Sequence, residues 1–207
     1  MKILLKNGTL IDYKTNIFEK KDILIEDDKV KKIDNGISDL ADKIIDLVNY
    51  GLSKIIKPDI EVEKVTDLDA KMIDELKEKY GIEGVILDVD ETLRKDMKRI
   101  PKCNEDWIEL LRGKLKVVIV SNGADRDLER LFDEKGIDYI MFAHKPLKMN
   151  FIKACKLMNL PPDKVLTVGD SLLDDVHGGH RLNMHTALVK DVWDDGNVSA
   201  RSNLKDE

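Results

Sequence analysis

The spacing of apolar positions divides the chain into two kinds of sequence. Up to residue 36 apolar and polar residues alternate or form short runs. Ile3-Leu4-Leu5 and Thr9-Leu10-Ile11 flank Asn7-Gly8, a two-residue turn signal. Residues 22–26 and 29–33 flank Asp27-Asp28 and alternate as a half-exposed hairpin does. Over 38–57, Leu40, Ile44, Ile45, Val48 and Leu52 share one helical stripe, which Pro58 ends. Residues 60–65 alternate as an edge strand. Asp67 is the expected cap of a helix over 69–79 that Gly81 stops.

From Gly84 onward, continuous apolar runs take turns with stretches of helical period. Strands are expected at 84–89, 115–120, 137–142, 164–168 and 185–189. Helices are expected near 104–113, 125–135, 147–158 and 172–181. Asn104 and Asp125 serve as N-caps, and Gly113 and Gly136 as stops. This alternation predicts an α/β fold: a Rossmann-like, five-stranded, mainly parallel sheet with helices on both faces. The expected organisation is an accessory β segment at 1–37, a helical lead-in at 38–83, the core at 84–190 and a polar tail at 191–207.

Composition narrows the function classes. A net charge of -6 lacks the basic footprint that nucleic-acid binding needs. Cys103 and Cys155 lack metal-ligand spacing and fit a reduced, cytoplasmic setting. No stretch approaches about 18 uninterrupted apolar residues, the length of a membrane span. The N-terminal apolar run is too short for a signal peptide.

The chemistry lies at the ends of the strands. The first core strand ends in Asp88 and Asp90, followed by Thr92. The second ends in Ser121-Asn122-Gly123, the third leads to His144-Lys145-Pro146, and the fourth ends at Gly169-Asp170, with Asp174 and Asp175 close behind. Successive strand side chains point to opposite faces, so a working acid pair is expected where the strand ends and the backbone bends. Parallel strands bring these ends to one rim, where an open α/β sheet binds ligands. Clustered carboxylates call for a hard divalent cation, and oxygen-only ligands favour Mg²⁺. A hydroxyl, backbone amides and a Lys offer donors to phosphate. The set suits phosphoryl transfer, with one carboxylate as nucleophile and another as proton donor and acceptor.

Four of these segments, Asp88-Val89-Asp90-Glu91-Thr92, Val120-Ser121-Asn122, Lys145-Pro146 and Gly169-Asp170-x4-Asp175, resemble in order the motifs of the haloacid dehalogenase (HAD) superfamily. Their surroundings, from about Leu52 to the C-terminus, resemble its subfamily IIIA phosphatases of the YqeG type, a group similar to phosphatidylglycerophosphate phosphatases. Gly123 stands where such chains often carry a second Asn. The resemblance implies Asp88 as nucleophile, Asp90 as general acid and base, and Thr92 as support for the loop. It implies Ser121, Asn122, Gly123 and Lys145 as phosphate contacts, and Mg²⁺ on Asp88, Asp90 (through its carbonyl), Asp170 and Asp175. Phosphatases of this kind with gaps this short between motifs have minimal caps and suit large substrates, such as phospholipids, nucleic-acid ends or phosphoproteins. Small-metabolite or nucleotide hydrolysis, and a phosphate-binding scaffold without turnover, are the alternatives.

Two further features stand out. Arg94, Lys95, Lys98, Arg99 and Lys102 form a basic stretch that is a candidate contact for an anionic substrate or a lipid surface. A solvated charged loop is the plainer account. His177 and His180, separated by two glycines, make a poor metal pair. Residues 1–47 weakly resemble the N-terminal β segment of cyclic amidohydrolases. The barrel and its His-x-His motif are absent, so no such chemistry is implied.

Overall fold

The apolar run at Gly84 becomes the centre of a parallel sheet in the computed structural model, which describes residues 1–12, 17–27, 29–46 and 55–192. The chain divides into two units, Met1–Ile56 and Lys57–Glu207.

In the second unit the strands are β5 (Ile60–Val62), β6 (Gly84–Leu87), β7 (Lys116–Val120), β8 (Asp138–Ile140), β9 (Val165–Gly169) and β10 (His185–Val189). They lie in the order β5-β10-β9-β6-β7-β8, every pair parallel. The five strands of the alternation form as expected. The alternating segment at 60–62 adds a sixth at the edge beside β10. The chain steps from β6 outward through β7 and β8, then returns to place β9 on the other side of β6. Strand order therefore reverses beside β6, the place where such sheets open a crevice at their carboxyl ends.

Helices α1 (Ala70–Tyr80), α2 (Lys102–Arg112) and α3 (Arg126–Lys135) cover one face. There Ile73, Trp107, Leu111 and Phe132 pack with Val85, Leu87 and Ile119. Helix α4 (Lys148–Met158) covers the other, packing Phe151, Ala154 and Met158 against Ile86 and Val118. Alternate residues of β6 thus feed opposite cores. Phe132 and Phe151 are fully buried, and truncating either to Ala would cost about 3–5 kcal/mol.

Two caps differ from the sequence expectation. Asp69, not Asp67, caps α1 by accepting from Met72 N at 2.8 Å, while Asp67 folds back onto Lys64 N. Asn104 lies inside the first turn of α2, fully buried, and its Nδ2 donates to Leu93 O at 2.8 Å. It ties the helix to the loop after β6 rather than capping it. Asp125 does cap α3, and Gly81 and Gly136 end their helices in the left-handed conformation.

The first unit is a four-stranded sheet in the order β3 (Lys29–Asp34), β2 (Ile17–Glu26), β1 (Lys2–Asp12), β4 (Lys43–Asp46). The hairpin of β2 and β3 forms as expected. Asn7-Gly8 is not a turn. Strand β1 runs through it, and the pairing with β2 shifts register between Leu5 and Gly8, with Asn7 at φ 57°. Buried Asp22 accepts from Asn7 N and from Ile37 N, both at 3.0 Å, and so satisfies the bulge. Residues 43–46, expected to be helical, form a strand parallel to β1. An isolated amphipathic stripe is marginal as a helix, and pairing with β1 satisfies the backbone instead. Residues 38–42 and 55–57 of that expected helix are not helical either, and 47–54 and the tail from 193 lie outside the described residues.

Candidate active site

Strand β6 stops at Leu87, and the backbone curls tightly around Val89. The Val89 carbonyl accepts from Leu93 N at 2.8 Å and Arg94 N at 3.1 Å. Glu91 takes φ 57°, and its N–H donates to Arg94 O at 2.8 Å. This bend keeps both Asp88 and Asp90 at the rim.

Four strand ends meet there. Asp88, Asp90, Ser121, Asn122, Gly123, Lys145, Asp170, Ser171, Asp174 and Asp175 line a pocket of about 290 Å³. Lys145 Nζ lies 2.6 Å from Asp88 Oδ1 and 2.6 Å from Asp175 Oδ1, all three groups buried. Thr92, fully buried behind the pocket, donates to Asp170 Oδ1 at 3.1 Å and sits 3.4 Å from Asp88 Oδ2. Oxygens of Asp88, Asp170 and Asp175 lie within 4.8 Å of one another. Asp175 packs so closely on the β9 end that a Cβ at Gly169 would lie 2.1 Å from its Cγ.

Charge is unbalanced in this cluster. Burial, then the neighbouring Asp88, pushes the Asp170 carboxyl up to about 6. Burial raises Asp175 too, against the opposing pull of Lys145. Lys145 is equally buried, yet its two carboxylates hold its proton more tightly than usual. Three close carboxylates with one ammonium leave negative charge in excess, and every donor is a hard oxygen. The residues present therefore fit a divalent cation.

The middle loops are braced rather than open. Asn122 Oδ1 accepts from Lys145 N at 2.6 Å, and its Nδ2 reaches Asp174 Oδ2 at 3.3 Å. Asn122 thus holds the Lys145 segment in place. Gly123 N donates to Ser121 Oγ at 3.1 Å. A Cβ at Gly123 would lie 2.7 Å from Asp90 Oδ2, so a second Asn there would press on that carboxylate. Asp174 faces Asn122, and Asp175 joins the carboxylate cluster.

The basic stretch does not form one surface. Arg94 is buried, with Nε 2.7 Å from Asp90 Oδ1 and Nη1 2.6 Å from Asp125 Oδ2. Lys95 pairs with Asp191 at 3.4 Å, and Lys102 pairs with Asp106. Lys98 and Arg99 are exposed. Both pairing positions of Arg94 were visible in the sequence, Asp90 at i−4 and Asp125 as a cap, but nothing there shows that one guanidinium joins them. His180 Nε2 lies 3.0 Å from Thr186 Oγ1, a contact that serves the sheet edge and not a metal. A larger cleft of about 440 Å³ lies beside Arg94, Arg99, Ile100 and α3, with mixed charges on its walls. Among the described residues no helix is long and apolar enough to cross a membrane.

Comparison with known proteins identifies the family. A HAD-hydrolase-like family model matches residues 142–194. The probable phosphatase YqeG of Bacillus subtilis is 32% identical over 158 residues, covering 75% of this chain and 90% of that protein. Among solved structures, an uncharacterized protein from Listeria monocytogenes aligns at 19% identity over 55% of this chain and 83% of its own, with a TM-score of 0.45. The cobalt-bound deoxy-D-mannose-octulosonate 8-phosphate phosphatase of Haemophilus influenzae aligns at 20% identity over 44% of this chain and 60% of its own, with a TM-score of 0.38. The chain belongs to the HAD superfamily and is a phosphatase of the YqeG type.

Proposed function

We propose that this phosphatase is Mg²⁺-dependent, works through an aspartyl-phosphate on Asp88, and acts on a large anionic substrate such as phosphatidylglycerophosphate. The observation that carries the reading is the Lys145 junction: one ammonium 2.6 Å from Asp88 and from Asp175, with Asp170 completing the carboxylate cluster.

Asp88 Oδ attacks phosphorus, and the bond to the leaving oxygen breaks as Asp90 gives that oxygen a proton. Asp90, now a carboxylate, takes a proton from water. The water oxygen attacks the phosphoryl group, releasing inorganic phosphate and restoring Asp88. Lys145 and Ser121 Oγ hold phosphoryl oxygens, and Thr92 steadies Asp88 and Asp170 from behind. Asp88, Asp170, Asp175 and the Asp90 carbonyl would hold Mg²⁺, which supplies positive charge against the phosphoryl oxygens.

The pocket, about 290 Å³, is lined by polar side chains. Such a lining gives an apolar leaving group no favourable contact, so that group is assigned to the exposed rim. Exposed Phe142 and Leu147 lie on the adjoining loop, with Phe142 N bonded to Gly123 O, and exposed Leu173 lies two residues from Asp175. These apolar side chains support a lipid leaving group better than the basic stretch does, since Arg94 is buried and Lys95 and Lys102 are paired.

The test is Mg²⁺-dependent phosphate release from an aryl phosphate and from phosphatidylglycerophosphate in mixed micelles, with Asp88→Asn alongside. The expected result is metal-dependent release from both, abolished in Asp88→Asn. Activity surviving in Asp88→Asn overturns the aspartyl-phosphate. Release from the aryl phosphate alone overturns the lipid assignment.

A further inference from the structure

Arg94 is 3% exposed, and its charge is spent on two carboxylates at opposite ends of its guanidinium. Its far partner is already fixed. Asp125 Oδ1 accepts from Asp127 N at 2.9 Å and Leu128 N at 3.3 Å, which caps α3. Asp125 Oδ2 takes Arg94 Nη1, and the guanidinium holds that carboxyl below its ordinary range. A continuous line of contacts therefore runs from the start of a packed helix through Asp125 and Arg94 to Asp90 Oδ1.

Asp90 needs such a brace. Its side chain is about a third exposed, on a loop that turns within a few residues. A carboxylate in that setting exchanges rotamers unless something holds it. Arg94 occupies Oδ1, while Oδ2 lies against Gly123 and beside Ser121 in the pocket. The planar fork of Arg fixes distance and angle to both carboxylates, which a Lys ammonium cannot do. We propose that Arg94, anchored by Asp125, is the positioning residue that aims Asp90 at the phosphoryl site. The inference rests on the role of Asp90 proposed above.

The test uses the full chain with an aryl phosphate and Mg²⁺, comparing parent, Asp88→Asn, Asp90→Asn, Arg94→Met, Arg94→Lys, Asp125→Asn and the double variant Arg94→Met/Asp90→Asn. Displacement of a reacting group by about 1 Å costs about 100-fold, so Arg94→Met is expected to lower kcat by about that factor with KM little changed. Arg94→Lys recovers only part of the loss. The double variant is expected to be no slower than Asp90→Asn alone, because Arg94 acts through Asp90. Asp125→Asn keeps a helix cap and leaves Arg94 paired with Asp90, so it tests the anchor even if Arg94→Met does not fold. A folded Arg94→Met or Asp125→Asn with parental kcat overturns the inference. So does a double variant that loses a further factor equal to the single loss. A parent no more active than Asp88→Asn would bring down this inference and the proposed mechanism together. A parent that turns over, with variants equal to it, would bring down this inference alone.

Discussion

Two cations are buried at the rim, each between two carboxylates, and the chain builds them from different amino acids. Lys145 joins Asp88 and Asp175 at 2.6 Å each, and Arg94 joins Asp90 and Asp125 at 2.7 and 2.6 Å. An ammonium is a point charge on a flexible stem. It can turn from a carboxylate to a phosphoryl oxygen without leaving its pocket. A guanidinium is a rigid fork whose geometry fails if either partner moves. The Lys145 site sits among groups that gain and lose a phosphoryl group in the proposed cycle. The Arg94 site reaches back to a helix cap that has no reason to move. One junction is suited to changing partners and the other to refusing to.

Removing Lys145 breaks the comparison most severely. Lys145→Met leaves Asp88 and Asp175 buried without their cation, and unpairing a buried charge costs about 3–5 kcal/mol. Loss of a donor to the phosphoryl group costs a further 100- to 1,000-fold in kcat, to order of magnitude. Chemical denaturation and kcat/KM on an aryl phosphate, measured together, check both. Lys145→Arg is expected to restore stability in part but not turnover, because a planar fork cannot swing between partners. Full activity in Lys145→Arg would erase the contrast between the two junctions.

Much of this is legible in the sequence, and the reason is local. Strands buried on both faces read as unbroken apolar runs, so a polar residue at the end of each run marks the rim. That is how Asp88, Ser121, Lys145 and Asp170 announce themselves. Arg94 is buried where a charged surface stretch is expected, because the same residue type serves on a surface or in a buried bridge, and the deciding partner, Asp125, lies 31 residues away. The first unit is less legible in its sequence. Among the described residues Leu4, Leu24 and Ile37 form its buried apolar cluster, and β3 is exposed at all six positions. With so little burial, periodicity carries little information. Hence Asn7-Gly8 looked like a turn where a carboxylate from the next strand stabilises a bulge, and 43–46 looked helical where pairing with β1 decides the matter.

A narrower probe is Gly123, which lies against Asp90 in the pocket. A Cβ there would press on Asp90 Oδ2 at 2.7 Å, and Arg94 prevents Asp90 from yielding. Gly123→Ala is expected to lower kcat by about 10- to 100-fold. The cost in stability is expected to stay within the overpacking range of about 1–3 kcal/mol. In Arg94→Lys the brace is looser, so Gly123→Ala should cost less in that background. Kinetics on the two single variants and the double variant give the coupling directly; strictly additive losses would mean that Asp90 is not held between them.

The smallest effect separates the junctions by metal. Three carboxylates cluster around Lys145 against two around Arg94, and one of those two lies at a helix N-terminus that already favours negative charge. Asp170 carries the imbalance: its folded pKa, about 6, stands above the ordinary value of 3.8. The proton-bound form therefore favours the folded chain. That contribution is full below about pH 4 and is lost as pH rises through 6. Two pKa units amount to about 3 kcal/mol, and partial exposure of Asp170 reduces this to about 1–2. Mg²⁺ should restore what ionisation removes. Millimolar Mg²⁺ is expected to raise Tm by several degrees at pH 7.5 and by much less at pH 5, where protons compete for the same oxygens. Asp170→Asn should shrink the shift at pH 7.5, and Asp125→Asn should leave it intact. Equal Mg²⁺ shifts in those two variants would mean that the cation does not distinguish the junctions, and the division of labour between Lys145 and Arg94 would lose its electrostatic basis.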